Sequence, residues 1–125
     1  MAPLPAAVSD ALDGRKDPAV FTTVDKNGRP NAIYASCVYR YDGERVVIAD
    51  NFFHKTRANI SGGSPGALVF MSPEGKSYQL KGRIDYLTEG ELFDFMKSRL
   101  KPSMPGHAAA VLNVEEAYSG AEMLV

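Results

Sequence analysis

Residues 54 to 59 read His-Lys-Thr-Arg-Ala-Asn. An ammonium, a hydroxyl and an amide this close together are the groups that bind an oxyanion. Lys55 would supply charge, and Thr56 and Asn59 would supply donors. On an α-helix, at about 100° per residue, Lys55, Thr56 and Asn59 fall on one arc, and His54 and Arg57 point elsewhere. A helix start adds unpaired amides and a partial positive charge. The pattern suits a phosphate monoester. It equally suits the solvated face of a helix capped by Asn51, because Lys, Thr and Asn are common surface residues.

Little else in the chain offers reactive chemistry. No nucleophile–base pair stands out. The single cysteine, Cys37, lies mid-strand and reads as a core residue. One cysteine allows no intrachain disulfide, which fits a reducing compartment, the cytoplasm. With only His54 and His107 beside it, no zinc framework can be assembled. His54 reads as a solvated or capping residue and His107 as a loop residue. The net charge of −1 gives no electrostatic case for nucleic acid or an anionic membrane. The first residues carry neither the basic region nor the apolar core of a signal peptide. No apolar run is long enough to span a bilayer.

The elements that must position these residues can be read from turns and alternation. The 125 residues are the size of one domain, and 45% hydrophobic content supports one core. Residues 4–14 read as a short helix ended by Gly14. "AVFTTVD" (19–25) is a β-branched strand, and Asn27-Gly28 accepts the positive φ angles of a hairpin turn. A long strand follows at 31–41, then the turn Asp42-Gly43-Glu44 and a strand at 45–49. A helix covers about 53–61. Strands follow at 67–71 and 77–87. In the second, Tyr78, Leu80, Ile84 and Tyr86 share the packed face, and Gly82 interrupts it as a bulge or a close backbone approach. Thr88 and Glu91 form a capping-box pattern at the head of a helix over 88–100. A last strand spans 107–116.

About six strands joined by tight turns argue for a small antiparallel barrel. Neither face of strand 31–41 is properly polar. One face fills the interior, and the other needs a cover. A second copy of the chain is the simplest cover, which predicts a homodimer; the chain's own helices are the other candidate. Tyr78, Tyr86, Phe52 and Phe53 read as core or interface residues that could also touch a ligand.

At "RVVIADNFFHKTRANISGGSPGALVF" the sequence resembles the FMN-binding split barrels, the pyridoxamine 5′-phosphate oxidase-like family. Their signature is a strand, a short loop, then Lys-Thr-x-x-Asn-Ile/Val opening a helix, followed by a turn and a strand. The small FMN-binding proteins of sulfate-reducing bacteria look most similar. They share "DG-x-R-[IV]-V-V" followed by "HKT-x-AN" at the same spacing. The resemblance is strongest over residues 17–87 and weaker to 115. It implies a mainly β fold with short helices: a six-stranded antiparallel split β-barrel over the single domain 1–125, homodimeric, with each flavin between subunits.

The resemblance further implies that Lys55 and Thr56 hold the FMN phosphate, with Asn59 near it. Tyr34, Ala35 and Ser36 would line the isoalloxazine ring, partly through main-chain atoms. Ala49, Asp50 and Asn51 would form the loop that passes the flavin. Two positions depart from the relatives: alanine replaces a polar amide at 35, and Ala-Asp-Asn replaces Val-Gly-Gly. A carboxylate at Asp50 would repel a phosphate, unless it faces the ribityl hydroxyls or caps the helix. "SRLKPSMPG" (98–106) looks superficially like the arginine motif of the oxidases' substrate site, but it ends a helix, and that site is not carried over. The implied function is redox or electron transfer by bound FMN. The rivals are a flavin reductase or small-molecule oxidoreductase using NAD(P)H, and a haem-binding carrier or non-catalytic module on the same fold.

Overall fold

Asp25 folds the first hairpin. Its Oδ1 accepts hydrogen bonds from the amides of Asn27 and Arg29, both at 2.9 Å, and Gly28 turns the chain at φ 81°. Among the described residues no other residue type takes a positive φ, so glycine alone makes the left-handed step. The hairpin joins β1 (Lys16–Val24) to β2 (Pro30–Ala35). The computed structural model describes residues 3–125.

The remaining strands are β3 (Val38–Arg40), β4 (Arg45–Asp50), β5 (Gly66–Met71), β6 (Ser77–Leu87), β7 (Ala108–Ser119) and the short β8 (Glu122–Met123). Three helices accompany them: α1 (Ala6–Asp13), α2 (Lys55–Ser61) and α3 (Glu91–Arg99). The strands form one sheet in the order β2-β1-β5-β6-β7-β4-β3, with β8 added to β7. Every pairing is antiparallel. The path begins at β2 and ends at β3. Only Ser36 and Cys37 separate those two edge strands in the chain, so the sheet must curl until its edges meet.

That break is the main departure from the expected order. The run 31–41 is two strands on opposite edges of the sheet rather than one. Apolar alternation continues through it, so hydrophobic pattern does not mark it. A guanidinium holds it instead: Arg15 Nη2 donates to the carbonyls of Ser36 and Val38 at 3.1 and 2.9 Å. A second difference is the start of α3. β6 stays paired with β7 as far as Leu87, and Gly90 turns at φ 96°, so Thr88 caps nothing.

Gly82 behaves as expected on both counts. The register shifts between Lys81 and Gly82, and a Cβ at Gly82 would lie 1.8 Å from the Asn113 carbonyl oxygen. Inside the curl, Val8 and Leu12 of α1 belong to one core cluster with Phe21, Ile48, Leu68 and Leu112. Each such side chain contributes roughly 1.5–3 kcal/mol by burial. α3 covers the opposite face of β4 and β7 through Met96, Val47 and Val111. The chain's own helix therefore covers one end of the outer surface. The outer face of β2-β1-β5 stays bare: Tyr34, Val20 and Val69 pair across those three strands, and Tyr34 and Val69 are exposed.

Candidate functional site

Where the edges meet, a cleft of about 320 Å³ opens between the end of β2, the end of β4 and the start of α2. β2 contributes Tyr34 and Ala35, followed by Ser36. β4 and its loop contribute Ala49, Asn51 and Phe52. α2 contributes Lys55 and Thr56. Seven of the expected site residues thus meet around one space.

Lys55 is exposed, and no carboxylate pairs with it among the described residues. Thr56 is 1% exposed, and its Oγ1 accepts a 3.1 Å hydrogen bond from Asn31 Nδ2. Its own proton stays free to donate. Asn31 was not foreseen, although alternation along β2 puts it on the same face as Ile33 and Ala35.

Asp50 lies elsewhere. Its carboxylate is fully buried and turns away from the cleft. Arg57 Nε and Nη2 donate to it at 2.8 and 3.0 Å, the Tyr86 hydroxyl at 2.5 Å and the Phe53 amide at 3.0 Å. Burial pushes this carboxyl up. The hydrogen bonds from Arg57, Tyr86 and Phe53, with the Arg57 charge, outweigh burial and hold it below the usual carboxylate range. Asp50 therefore stays charged and is neutralised by Arg57, with its carboxylate outside the cleft. Among the described residues no acidic side chain lines the cleft.

Asn59 also falls outside. Its Nδ2 donates to Thr23 Oγ1 at 3.0 Å, and it lines a separate cavity with Lys26 and Gly63. The helical arc it shares with Lys55 meets β1 by the second turn, so one helix face serves two neighbours.

Asn51 reaches the cleft, but its side chain acts on the chain itself. Its Oδ1 accepts a 3.0 Å bond from the Gly106 amide. The Asp50 carbonyl accepts from the His107 amide at 2.8 Å, and Lys97 Nζ donates to the Pro105 carbonyl at 2.9 Å. These bonds fasten the segment after α3 across the cleft, where Met104 becomes part of the wall. Nothing in the sequence marks Met104, because the contact spans about half the chain.

Cys37 is half-buried: it packs against the cluster of Val47, Met96 and Val111, as a core residue would, and it also lines the cleft. His54 sits at the N-cap of α2 without a side-chain cap bond and is exposed, as expected of a solvated residue. Tyr34 and Phe52 stand at the mouth, 80% and 79% exposed. Among the described residues no cluster of His, Cys, Asp and Glu could hold a metal ion, and no helix is long and apolar enough to cross a membrane.

A curled antiparallel sheet, open along a seam that carries the cleft, defines a split β-barrel. The chain belongs to the pyridoxamine 5′-phosphate oxidase family, whose model matches residues 4–120. An uncharacterized protein of Methanocaldococcus jannaschii is 33% identical over 102 residues, covering 78% of this chain and 68% of that one. The crystal structure of HupZ from Group A Streptococcus superposes with a TM-score of 0.80 at 23% identity, covering 93% of each chain. An FMN-binding protein from Syntrophomonas wolfei superposes with a TM-score of 0.77 at 20% identity, covering 93% of this chain and 84% of that one. At these identities the two structures establish the fold.

Proposed function

We propose that the cleft binds FMN non-covalently and that the protein is a redox protein working as a homodimer. The observation that carries this reading is the donor set. An unpaired ammonium (Lys55) and an oriented hydroxyl (Thr56) sit at one end of a cleft with no carboxylate, and β2 main chain and small side chains form the rest of its wall. That set fits a phosphate at one end and a planar ring against Ala35 and Ser36. A solved structure of the same fold is an FMN-binding protein, which supports the assignment. Bound FMN would supply one- and two-electron chemistry. The chain's part is to bind the phosphate, to seat the ring on β2, and to exclude water with Tyr34, Phe52 and Met104. The row Tyr34–Val20–Val69, exposed at both ends, is the surface for a second copy, which would complete the cleft from outside.

Titration of the purified chain with FMN, read by quenching of flavin fluorescence, tests the reading. Saturable binding is expected, and protein that cannot be reconstituted refutes it. Analytical ultracentrifugation should find a dimer, and Val69→Asp should shift it to monomer. NADH and NADPH oxidation by the loaded protein, with and without added free flavin, separates a carrier from a reductase. A haem reading has His54 and Met104 on the cleft wall in its favour, because both residue types ligate haem iron. A Soret band in place of flavin absorption would select it.

A further inference from the structure

Ser36 lines two spaces. One is the cleft. The other is a cavity of about 480 Å³ walled by Arg15, Tyr39, Arg40 and Arg99, together with Asp13 and Asp17. The break between β2 and β3 is the shared wall.

The charges in the second cavity can be matched one by one. Arg40 holds Asp13 with both arms of its fork, Nε at 3.0 Å and Nη2 at 2.9 Å. Arg15 donates from Nη1 to the Leu12 carbonyl and from Nη2 to Ser36 and Val38, and Asp17 lies 3.3 Å from its Nε. That Nε is buried and donates no hydrogen bond. Arg99 has no carboxylate within ion-pair distance among the described residues; its guanidinium lies over the Phe95 ring, 4.9 Å from the centroid. Burial, and then a hydrogen bond with Cys37, push the Tyr39 phenol up to about 12, so it adds no competing negative charge near neutral pH. Three arginines thus face two aspartates. One guanidinium has no counter-charge, and one buried N–H has no acceptor.

We propose that this cavity is a subsite for an oxyanion, a carboxylate or a phosphate, carried by the molecule that meets the flavin in the cleft. Arg99 supplies the uncompensated charge and a planar fork suited to either group. An anion there lies against Ser36, which also lines the cleft, so the break between β2 and β3 is the element that links the two sites. The role of the anion as part of a flavin's reaction partner rests on the flavin reading of the cleft; the binding of the anion does not.

The test is a nuclear magnetic resonance titration of the full, flavin-free chain with inorganic pyrophosphate and, separately, with succinate. The Nε–Hε signals of Arg15 and Arg99 should shift saturably with at least one probe. Arg99→Gln should weaken that binding by about tenfold or more. A response to pyrophosphate alone assigns a phosphorylated partner, and a response to succinate alone assigns a carboxylate. Absence of a saturable shift with either probe overturns the proposal, and so do shifts that survive Arg99→Gln. FMN titration of the same sample is scored separately, so loss of the flavin reading and loss of the anion subsite give different results.

Discussion

Asp50→Asn removes the buried charge at the end of β4 while keeping the shape of the side chain. The native carboxylate is fully buried and accepts four hydrogen bonds, two from Arg57 and one each from Tyr86 and Phe53. Removing one partner of a buried ion pair costs about 3–5 kcal/mol, because the other charge is left uncompensated. Arg57 is 40% exposed, so its guanidinium rehydrates in part and the low end applies. The expected loss is about 3 kcal/mol. Urea denaturation at fixed protein concentration reads it. The pH dependence follows from the depressed carboxyl. A group whose folded pKa lies below its unfolded value stabilises the fold fully above the unfolded value, about 3.9, and loses that contribution as pH falls through the folded one. The gap between native and variant protein should therefore stay constant from neutral pH down to about pH 5 and shrink below about pH 4. A gap under about 0.5 kcal/mol at neutral pH, or one that widens as pH falls below about 4, refutes the reasoning.

Lys55→Ala removes one charge-assisted contact and should weaken FMN binding about 10- to 150-fold, measured by fluorescence titration, with the native affinity the more salt-sensitive. Asn51→Ala leaves the buried Gly106 amide without its acceptor, which should cost about 1–3 kcal/mol in denaturant unfolding and raise hydrogen exchange of the 100–107 segment. Gly82→Ala would drive a Cβ into the Asn113 carbonyl and should lower stability by more than about 2 kcal/mol in the same assay; a near-neutral result would show that the bulge has slack.

The features legible in the sequence are those set by local chemistry. Asn27-Gly28 announces its turn, Gly82 its close approach, and Lys55-Thr56 its pair of donors. What stayed hidden depends on which distant residue a side chain meets. Helical spacing groups Asn59 with Lys55 but does not say that the second turn of α2 rests on Thr23. Asp50 looked like an exposed liability beside a phosphate, because the guanidinium that neutralises it points away from the arc that drew attention. The break at Ser36 and Cys37 leaves no mark in hydrophobic alternation; it is held by Arg15, some twenty residues earlier in the chain. Met104 reaches the cleft only because Asn51 and Asp50 fasten its segment there.

The position of β7 has a kinetic consequence. The hairpins β1–β2, β3–β4 and β5–β6 each close over a short turn, and hairpins form in microseconds. Yet β4 and β6 are joined only through β7, which pairs with both. Until it inserts, both flanks of its slot are open strand edges, and one of them carries the apolar run Val46–Ala49. Folding must therefore wait on a pairing between distant parts of the chain. The species most prone to aggregate is the half-built sheet with a vacant central position, not the native molecule.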